Sequence, residues 1–233
     1  MARDENIEFL KSICPQSLKD STYEELLDWL FGRDSRTIAV CADKSYRDIQ
    51  RNLTGIGKMP EKEKQVFRSA ISTLIAGCIK NVFNHKITEP EAFDVWHNET
   101  CESISEVSRE YGISKWVAWM ENGFTYGISQ KRLNMTIKNM IVMERWDDHL
   151  EPIRKYLHVP VDSLIMKKAS KEFDINIPCK NGGVGKYSNT GSKPWSRWEF
   201  EDYIGFQKDV RKATRICPID WEFTSWNVIR GSR

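Results

Sequence analysis

The chain has 233 residues, of which 40% are hydrophobic and 11% aromatic, enough to bury a sizeable core in one domain or two closely packed lobes. This composition favours a folded chain over a disordered one, and the net charge of +2 neither requires nor excludes a nucleic-acid partner. No stretch approaches the roughly 20 apolar residues of a membrane span, and residues 1–7 lack the apolar core of a signal peptide. We therefore expect a cytoplasmic protein without a membrane partner.

Apolar residues recur at helical spacing through most of the chain, and the alternation typical of strands is nearly absent. The pattern predicts an all-α fold with helices at residues 5–13, 23–31, 36–53, 61–83, 89–111, 114–121, 129–143, 147–156, 162–173 and 198–214. Thr22 is placed to cap the second of these helices. The helix at 61–83 carries the apolar side expected of the central core helix.

Residues 176–195 contain four glycines and show no periodicity, which predicts a loop. Within it, Lys186 is followed by Tyr187, whereas a phosphate-binding P-loop needs Ser or Thr there, so we exclude a nucleotide hydrolase. The loop is interpreted either as a mobile surface segment or as a contact to a DNA backbone.

The six cysteines are far apart, with no Cys-x-x-Cys pair and no histidine at zinc-ligand spacing. His97 and Cys101 are one helical turn apart, but packing is the favoured role for a free cysteine. We expect neither a metal nor an organic cofactor.

The segment from residue 167 to residue 215 contains eleven basic and six acidic residues. This excess predicts either a solvated helical surface or a phosphate-binding patch.

Two short segments point to chemistry. A glycine turn at residues 123–127 leads into the helix predicted at 129–143, and the free amides of a helix start suit a phosphate. Lys131 is predicted in the first turn, where the helix dipole disfavours a protonated amine and favours a nucleophilic one. Downstream, Val159-Pro160-Val161 predicts an extended entry to a helix with Asp162 at its N-cap. If the two helix ends converge, a lysine could attack a sugar carbon while an aspartate stabilises the cationic sugar.

These segments resemble the helix-hairpin-helix DNA glycosylases, in particular the bifunctional 8-oxoguanine glycosylase/lyase branch. The hairpin of that branch reads roughly Gly-Val-Gly-x-Lys and is followed by Val-Pro-Val-Asp. This chain has the corresponding residues at 127–131, with Ser129 at the second glycine, and at 159–162. The resemblance implies an orthogonal helical bundle in two lobes with the active cleft between them. It also implies Lys131 as the Schiff-base nucleophile and Asp162 as the catalytic carboxylate.

The same resemblance implies further site residues. Gly127 and Ser129 would hold a DNA phosphate, with Gln130 in the same hairpin, and His158 would either contact the phosphate or sugar or make a structural hydrogen bond. A base pocket is assigned to the late aromatic and amide residues Phe206 and Gln207, with Trp198 beside them. A second similarity, through Gln130-Lys131-x-x-Asn134-Met135-x-x-x-Lys138, is to bacterial glycosylase-like proteins of antiviral defence.

The sequence thus predicts one glycosylase-like domain over residues 1–233, with its hairpin and catalytic segment at about 123–165. Its predicted activity is that of a DNA glycosylase and AP lyase on double-stranded DNA, excising a damaged or modified base, with 8-oxoguanine as the first candidate. Base excision in DNA repair and antiviral defence both remain open as its role. Two alternatives remain open as well. One is a non-catalytic helical module that grips nucleic acid, and the other is a protein-interaction subunit of a defence system.

Overall fold

The computed structural model describes residues 3–33, 36–84 and 87–230. The helices within these ranges are α1 Arg3–Ile13, α2 Tyr23–Phe31, α3 Ile38–Gln50, α4 Glu61–Asn84, α5 Pro90–Glu110, α6 Tyr126–Met143, α7 Asp147–Leu150, α8 Ser163–Glu172, α9 Phe200–Ala213 and α10 Pro218–Arg230. Two short strands, β1 Ile177–Pro178 and β2 Val184–Gly185, pair in antiparallel orientation. The prediction of a mostly helical fold is confirmed.

Capping residues explain why several helices begin where they do. The Thr22 side chain accepts a hydrogen bond from the amide of Glu25, whose own side chain accepts from the Thr22 amide, and α2 spans the predicted residues. Thr37 caps α3 through the amide of Val40, so that helix starts two residues later than predicted. Asp162 caps α8, as its position before an apolar helical run indicates.

One helix prediction was wrong, and one helix was missed. Residues 114–121 form no α-helix, and only a 3-10 turn at Ile113–Lys115 interrupts the connection. Gly112 and Gly123 on either side of it adopt positive φ, a conformation that a regular helix does not continue through. Conversely, α10 at Pro218–Arg230 was not predicted, although Pro218 fits the first turn of a helix.

The central helix is α6 rather than α4. All but two of the 18 residues of α6 are buried, whereas α4 buries seven of its 24 residues and leaves Val66 half exposed. Helices α3, α5 and α9 pack directly on α6, and α4 packs on the outer sides of α3 and α5. A helix enclosed on all sides needs no amphipathic pattern, so the apolar side of α4 does not identify the central helix.

In the part of the chain that the structure describes, α4 is also the one helix long and apolar enough to cross a membrane. About 39% of its apolar window is buried against the rest of the protein. A core helix of a soluble protein has the same length and composition, so this observation is weak evidence for a membrane span.

The glycine-rich segment predicted as a loop contains the small sheet. Gly182 and Gly183 adopt positive φ where the chain reverses between β1 and β2, and Cys179 forms a further bridge with Ser192. The segment therefore folds back on itself as a hairpin before the chain reaches residues 195–198, which pack against the start of α6.

Candidate active site

Helix α6 begins three residues before its predicted start. Its N-cap is Thr125, whose side-chain oxygen accepts a hydrogen bond from the amide of Ile128 and donates one to the carbonyl of Ser196 at 2.6 Å. Gly127 therefore lies inside the first turn, and Lys131 lies in the second turn, where the sequence predicted the first. Because the field of a helix N-terminus falls off within the first turn, it does not explain a nucleophilic role for Lys131.

Lys131 and Asp162 form a buried ion pair. The Nζ atom of Lys131 lies 2.8 Å from Oδ2 of Asp162 and 3.2 Å from the carbonyl oxygen of Pro160. The two side chains are 5% and 11% exposed. The N-terminal half of α6 and the N-cap of α8 thus converge, and the two residues that the sequence singled out for catalysis are in direct contact.

The carboxylate of Asp162 divides its two oxygens between two partners. Oδ1 accepts hydrogen bonds from the amides of Leu164 and Ile165 at 2.9 and 3.0 Å, while Oδ2 accepts from Lys131. Burial by itself raises the pKa of Asp162, but the charge and hydrogen bond of Lys131 together with the two amides hold that pKa below its ordinary value. Asp162 is therefore ionised at neutral pH and is a weak proton acceptor.

The extended segment before Asp162 is held by two buried glutamines. Gln207 accepts a hydrogen bond from the amide of Val159 at 3.1 Å and donates to the carbonyl of the same residue at 2.8 Å. Gln130 makes the equivalent pair with Val161, at 3.3 and 3.2 Å. These contacts satisfy the backbone groups that a neighbouring strand would otherwise pair, and they fix the position of Asp162.

His158 belongs to a buried polar network behind the site. Its Nδ1 lies 2.9 Å from the Tyr203 hydroxyl and its Nε2 lies 2.8 Å from Asp94, which also accepts a hydrogen bond from Arg211. Burial lowers the pKa of His158 even though Asp94 favours its charged form. At 3% exposure His158 does not reach the surface, which favours the structural hydrogen bond among its predicted roles.

A cavity of about 380 Å³ opens beside the ion pair. Its volume lies within the range of small-molecule sites, roughly 300–1,000 Å³. The cavity is lined by Phe9 and Ile13 of α1, Trp29 and Leu30 of α2, Lys44, Arg47, Asp48 and Arg51 of α3 and its end, Lys131, Met135, Lys138 and Asn139 of α6, and Asp162. Two other cavities, of about 490 and 710 Å³, include neither Lys131 nor Asp162.

Sequence reasoning missed the α3 wall of this cavity. Lys44, Arg47, Asp48 and Arg51 follow one another at spacings of three, one and three residues, which places them on one side of a helix. That spacing was visible in the sequence, but the packing of α3 against α6 was not. A charged helix side was therefore predictable from the sequence, but its proximity to Lys131 was not.

The three cations of this wall have no carboxylate partner within ion-pair distance in the described residues, whereas Asp43, also on α3, pairs with Arg68 of α4 at 2.6 Å. The amine of Lys44 lies 5.8 Å from the centre of the Trp29 ring. Burial, followed by the charge of Arg47, lowers the pKa of Lys44. This wall of the cavity thus carries three cations against one carboxylate, Asp48.

Burial does not support the predicted phosphate contacts of the hairpin. The amide of Gly127 already donates to the carbonyl of Trp198 at 3.1 Å, and a β-carbon on Gly127 would lie 2.0 Å from the carbonyl oxygen of Trp195. Ser129 and Gln130 are both fully buried. Gly127 therefore permits close packing of α6 on residues 195–198, and none of the three residues is placed to contact DNA in this structure.

The predicted base pocket is likewise not supported. Phe206, Gln207 and Trp198 are at most 3% exposed, and none of them lines the cavity. The rings of Trp198 and Phe206 pack on each other with centroids 5.4 Å apart, and Gln207 anchors the backbone of Val159. The aromatic side chains that do face the cavity are Phe9 and Trp29.

Four of the eleven basic residues in the C-terminal third are used in ion pairs within the chain, which weakens its interpretation as a phosphate-binding patch. These pairs are Lys168–Glu172, Lys186–Asp174, Lys193–Asp202 and Arg211–Asp94. Comparison of the chain with protein-family models, curated proteins and solved structures found no match.

Proposed function

We propose that the chain is a DNA glycosylase with AP lyase activity, with Lys131 as the nucleophile and Asp162 as the assisting carboxylate. The observation that carries the proposal is the 2.8 Å contact between Lys131 and Asp162 on the wall of a cavity in the size range of small-molecule sites. A purely structural ion pair has no need of such an opening. The accompanying proposal for the fold is a two-lobed bundle whose helix-hairpin-helix element ends in α6.

The hydrogen bonds of Lys131 support a nucleophilic role. A protonated lysine has three N–H donors, and the side chain directs two of them to Pro160 and Asp162. Among the described residues the third has no acceptor, and Lys131 lines the cavity. Loss of this third proton leaves a lone pair on Nζ in its place. The two hydrogen bonds that remain orient this lone pair towards the cavity.

Asp162 supplies the negative charge that the reaction requires. As the bond between sugar and base weakens, positive charge develops on the sugar, and an ionised carboxylate held in a buried setting stabilises it. The lowered pKa of Asp162 keeps the carboxylate ionised throughout. Its hydrogen bonds to the start of α8 hold it in place, so little reorganisation is needed.

The proposed reaction begins with a nucleotide turned out of the duplex into the cavity. The neutral amine of Lys131 forms a bond to the anomeric carbon, and the bond to the base breaks, with its electron pair leaving on the base, which takes up a proton. Opening of the sugar ring gives a Schiff base between Lys131 and the sugar. Loss of a proton from the neighbouring carbon then expels the 3′ phosphate and cuts the strand.

The cations at the cavity mouth support double-stranded DNA as the partner. Lys44, Arg47 and Arg51 lack ion-pair partners within the described residues and line the cavity that would receive a flipped nucleotide. Such cations bind the flanking phosphates through charge and release counterions. Trp29, which is 39% exposed and lines the same cavity, offers an aromatic surface for stacking.

The proposal is tested by borohydride trapping on a duplex with one abasic site, the common intermediate of every glycosylase with lyase activity. We expect a covalent protein–DNA adduct with the wild-type chain and with Lys62→Gln, an exposed control on α4. Lys131→Gln should abolish the adduct while remaining folded. A panel of duplexes with modified bases, beginning with 8-oxoguanine, then identifies the base whose release depends on Asp162.

Other outcomes would support the alternatives. Salt-sensitive DNA binding without an adduct, unaffected by Asp162→Asn, would support a non-catalytic nucleic-acid module. The absence of any affinity for duplex DNA at low salt would support a protein-interaction subunit. An adduct that persists in Lys131→Gln would contradict the assignment of the nucleophile.

A further inference from the structure

Asp48 is the one carboxylate on the α3 wall of the cavity. Its side chain is half-buried and has no hydrogen-bond or ion-pair partner in the part of the chain that the structure describes. By contrast, the other carboxylate of the cavity, Asp162, has both oxygens occupied. Burial disfavours the charged form of a carboxylate, and in Asp48 no hydrogen bond from a described residue offsets this effect.

The charges around Asp48 come from both packed helices. On its own helix these are Lys44 and Arg47, with Arg51 directly after the last residue of α3, and on α6 they are Lys131 and Lys138, whose amine pairs with Glu222. Asp162 faces the same space. Helices α1 and α2 contribute apolar and aromatic side chains. Burial raises the pKa of Asp48, and Lys131 is the strongest of the neighbouring charges that act against this rise.

The nucleophilic role of Lys131 leaves one requirement unmet, since its third proton must be removed before it can attack. Asp162 is a poor acceptor for this proton because its pKa is lowered and both of its oxygens already accept hydrogen bonds. The carbonyl of Pro160 cannot take up a proton at neutral pH. Asp48 faces the same cavity, and its raised pKa makes it the better base of the two carboxylates.

We infer that Asp48 is the general base that accepts the third proton of Lys131 across the cavity and then returns it to the leaving group. The inference rests on the proposed function of Lys131. Asp48 and Lys131 form no direct ion pair here, so the proton passes through one bridging water or after a side-chain rotation. Two carboxylates in one cavity thereby have different roles, with Asp162 as a fixed charge and Asp48 as the proton carrier.

The proton balance closes for an abasic sugar in its aldehyde form. The Lys131 ammonium gives one proton to Asp48, and the amine adds to the aldehyde carbon. A second proton moves from nitrogen to the former aldehyde oxygen. Asp48 then returns its proton to that hydroxyl, which leaves as water, and the nitrogen keeps one hydrogen in a protonated Schiff base. In base excision the same proton goes to the departing base.

The test measures the single-turnover rate at which the borohydride-trapped adduct forms on an abasic duplex. The rate is followed from about pH 6 to about pH 9.5, the range in which a general base affects the reaction. We expect Asp48→Asn to slow the reaction by about 10²-fold at neutral pH, and the deficit to shrink as hydroxide takes over deprotonation at high pH. Asp48→Glu should retain most of the rate. Asp209→Asn, an exposed control on α9, should follow the wild type at every pH.

Chemical rescue provides a second, independent readout. In Asp48→Ala the cavity has room for formate, which should restore part of the lost rate in proportion to its concentration, and a merely structural aspartate would not show this. A deficit in Asp48→Asn that is the same at every pH, or no deficit, would overturn the role of Asp48 alone. Absence of a wild-type adduct, or an adduct indifferent to Lys131→Gln, would instead overturn the proposed function and this inference with it.

Discussion

Substitution of Asp162 by asparagine separates the two roles of this side chain. The carboxylate caps α8 with one oxygen and accepts a hydrogen bond from Lys131 with the other. An asparagine has only one oxygen, and because asparagine is as good an N-cap as aspartate, we expect that oxygen to keep the cap. The NH₂ group then faces the Lys131 ammonium, which is left without its charged partner.

The magnitude follows from the burial of both side chains, which are 5% and 11% exposed. Removal of one partner of a buried ion pair costs about 3–5 kcal/mol, so we expect Asp162→Asn to lower the free energy of unfolding by that amount. Asp162→Ala also removes the cap and should cost about 1 kcal/mol more. The double variant Lys131→Met/Asp162→Asn leaves no unpaired charge and should recover most of the loss.

Urea denaturation followed by the fluorescence of the nine tryptophans measures all four proteins. Equal m-values across the series would show that the folded and unfolded states keep their compactness. The reasoning would be refuted by a loss under about 1 kcal/mol for Asp162→Asn, together with a double variant less stable than the single one.

Three further predictions concern packing, pH and salt. Gly127→Ala should lower the free energy of unfolding by about 1–3 kcal/mol, because the new methyl carbon would lie 2.0 Å from a backbone oxygen, and equal stability would contradict this packing. Gly205→Ala, with nothing within 4 Å, should raise it by about 0.5–1 kcal/mol. Because the pKa of Asp162 is lowered on folding, its stabilising contribution is complete above the unfolded value of about 3.9 and is lost as the pH falls through the folded value. Acid titration of unfolding midpoints should show this loss in the wild type and not in Asp162→Asn. Arg47→Gln combined with Arg51→Gln should reduce the slope of log affinity against log salt for an abasic duplex by about two, and an unchanged slope would remove α3 from the DNA interface.

Local signals predicted the parts of the fold that local physics determines. Thr22 and Asp162 were predictable as N-caps because each is a short polar residue directly before a helical apolar pattern. Their side chains accept hydrogen bonds from the free amides of the first helical turn. The start of α6 predicted at residue 129 is three residues late, because Thr125 is the N-cap. Tertiary packing determines this start, because Gly127 has to lie in the first turn to let the backbone of Trp195 approach.

The candidate site also has a part that local signals predicted and a part that they did not. Lys131 was predicted from the glycine turn before its helix and Asp162 from the Val-Pro-Val segment before its own, and the structure brings the two residues into contact. Asp48 and Arg47 were missed because the cavity depends on the packing of α3 against α6, between segments nearly ninety residues apart in the chain. Gln207 was expected at the base but holds the segment that carries Asp162, a role that depends on where α9 docks.

The most direct test of the central claim is to map the residue that carries the trapped sugar. Three lysines line the cavity, and burial lowers the pKa of both Lys44 and Lys138, which makes these two the rival nucleophiles. After reduction with borohydride, nuclease digestion and proteolysis, mass spectrometry of the peptides should find the sugar remnant on Lys131 alone. A remnant on Lys44, on Lys138 or on the terminal amine, or no modified peptide from folded protein, would contradict the account.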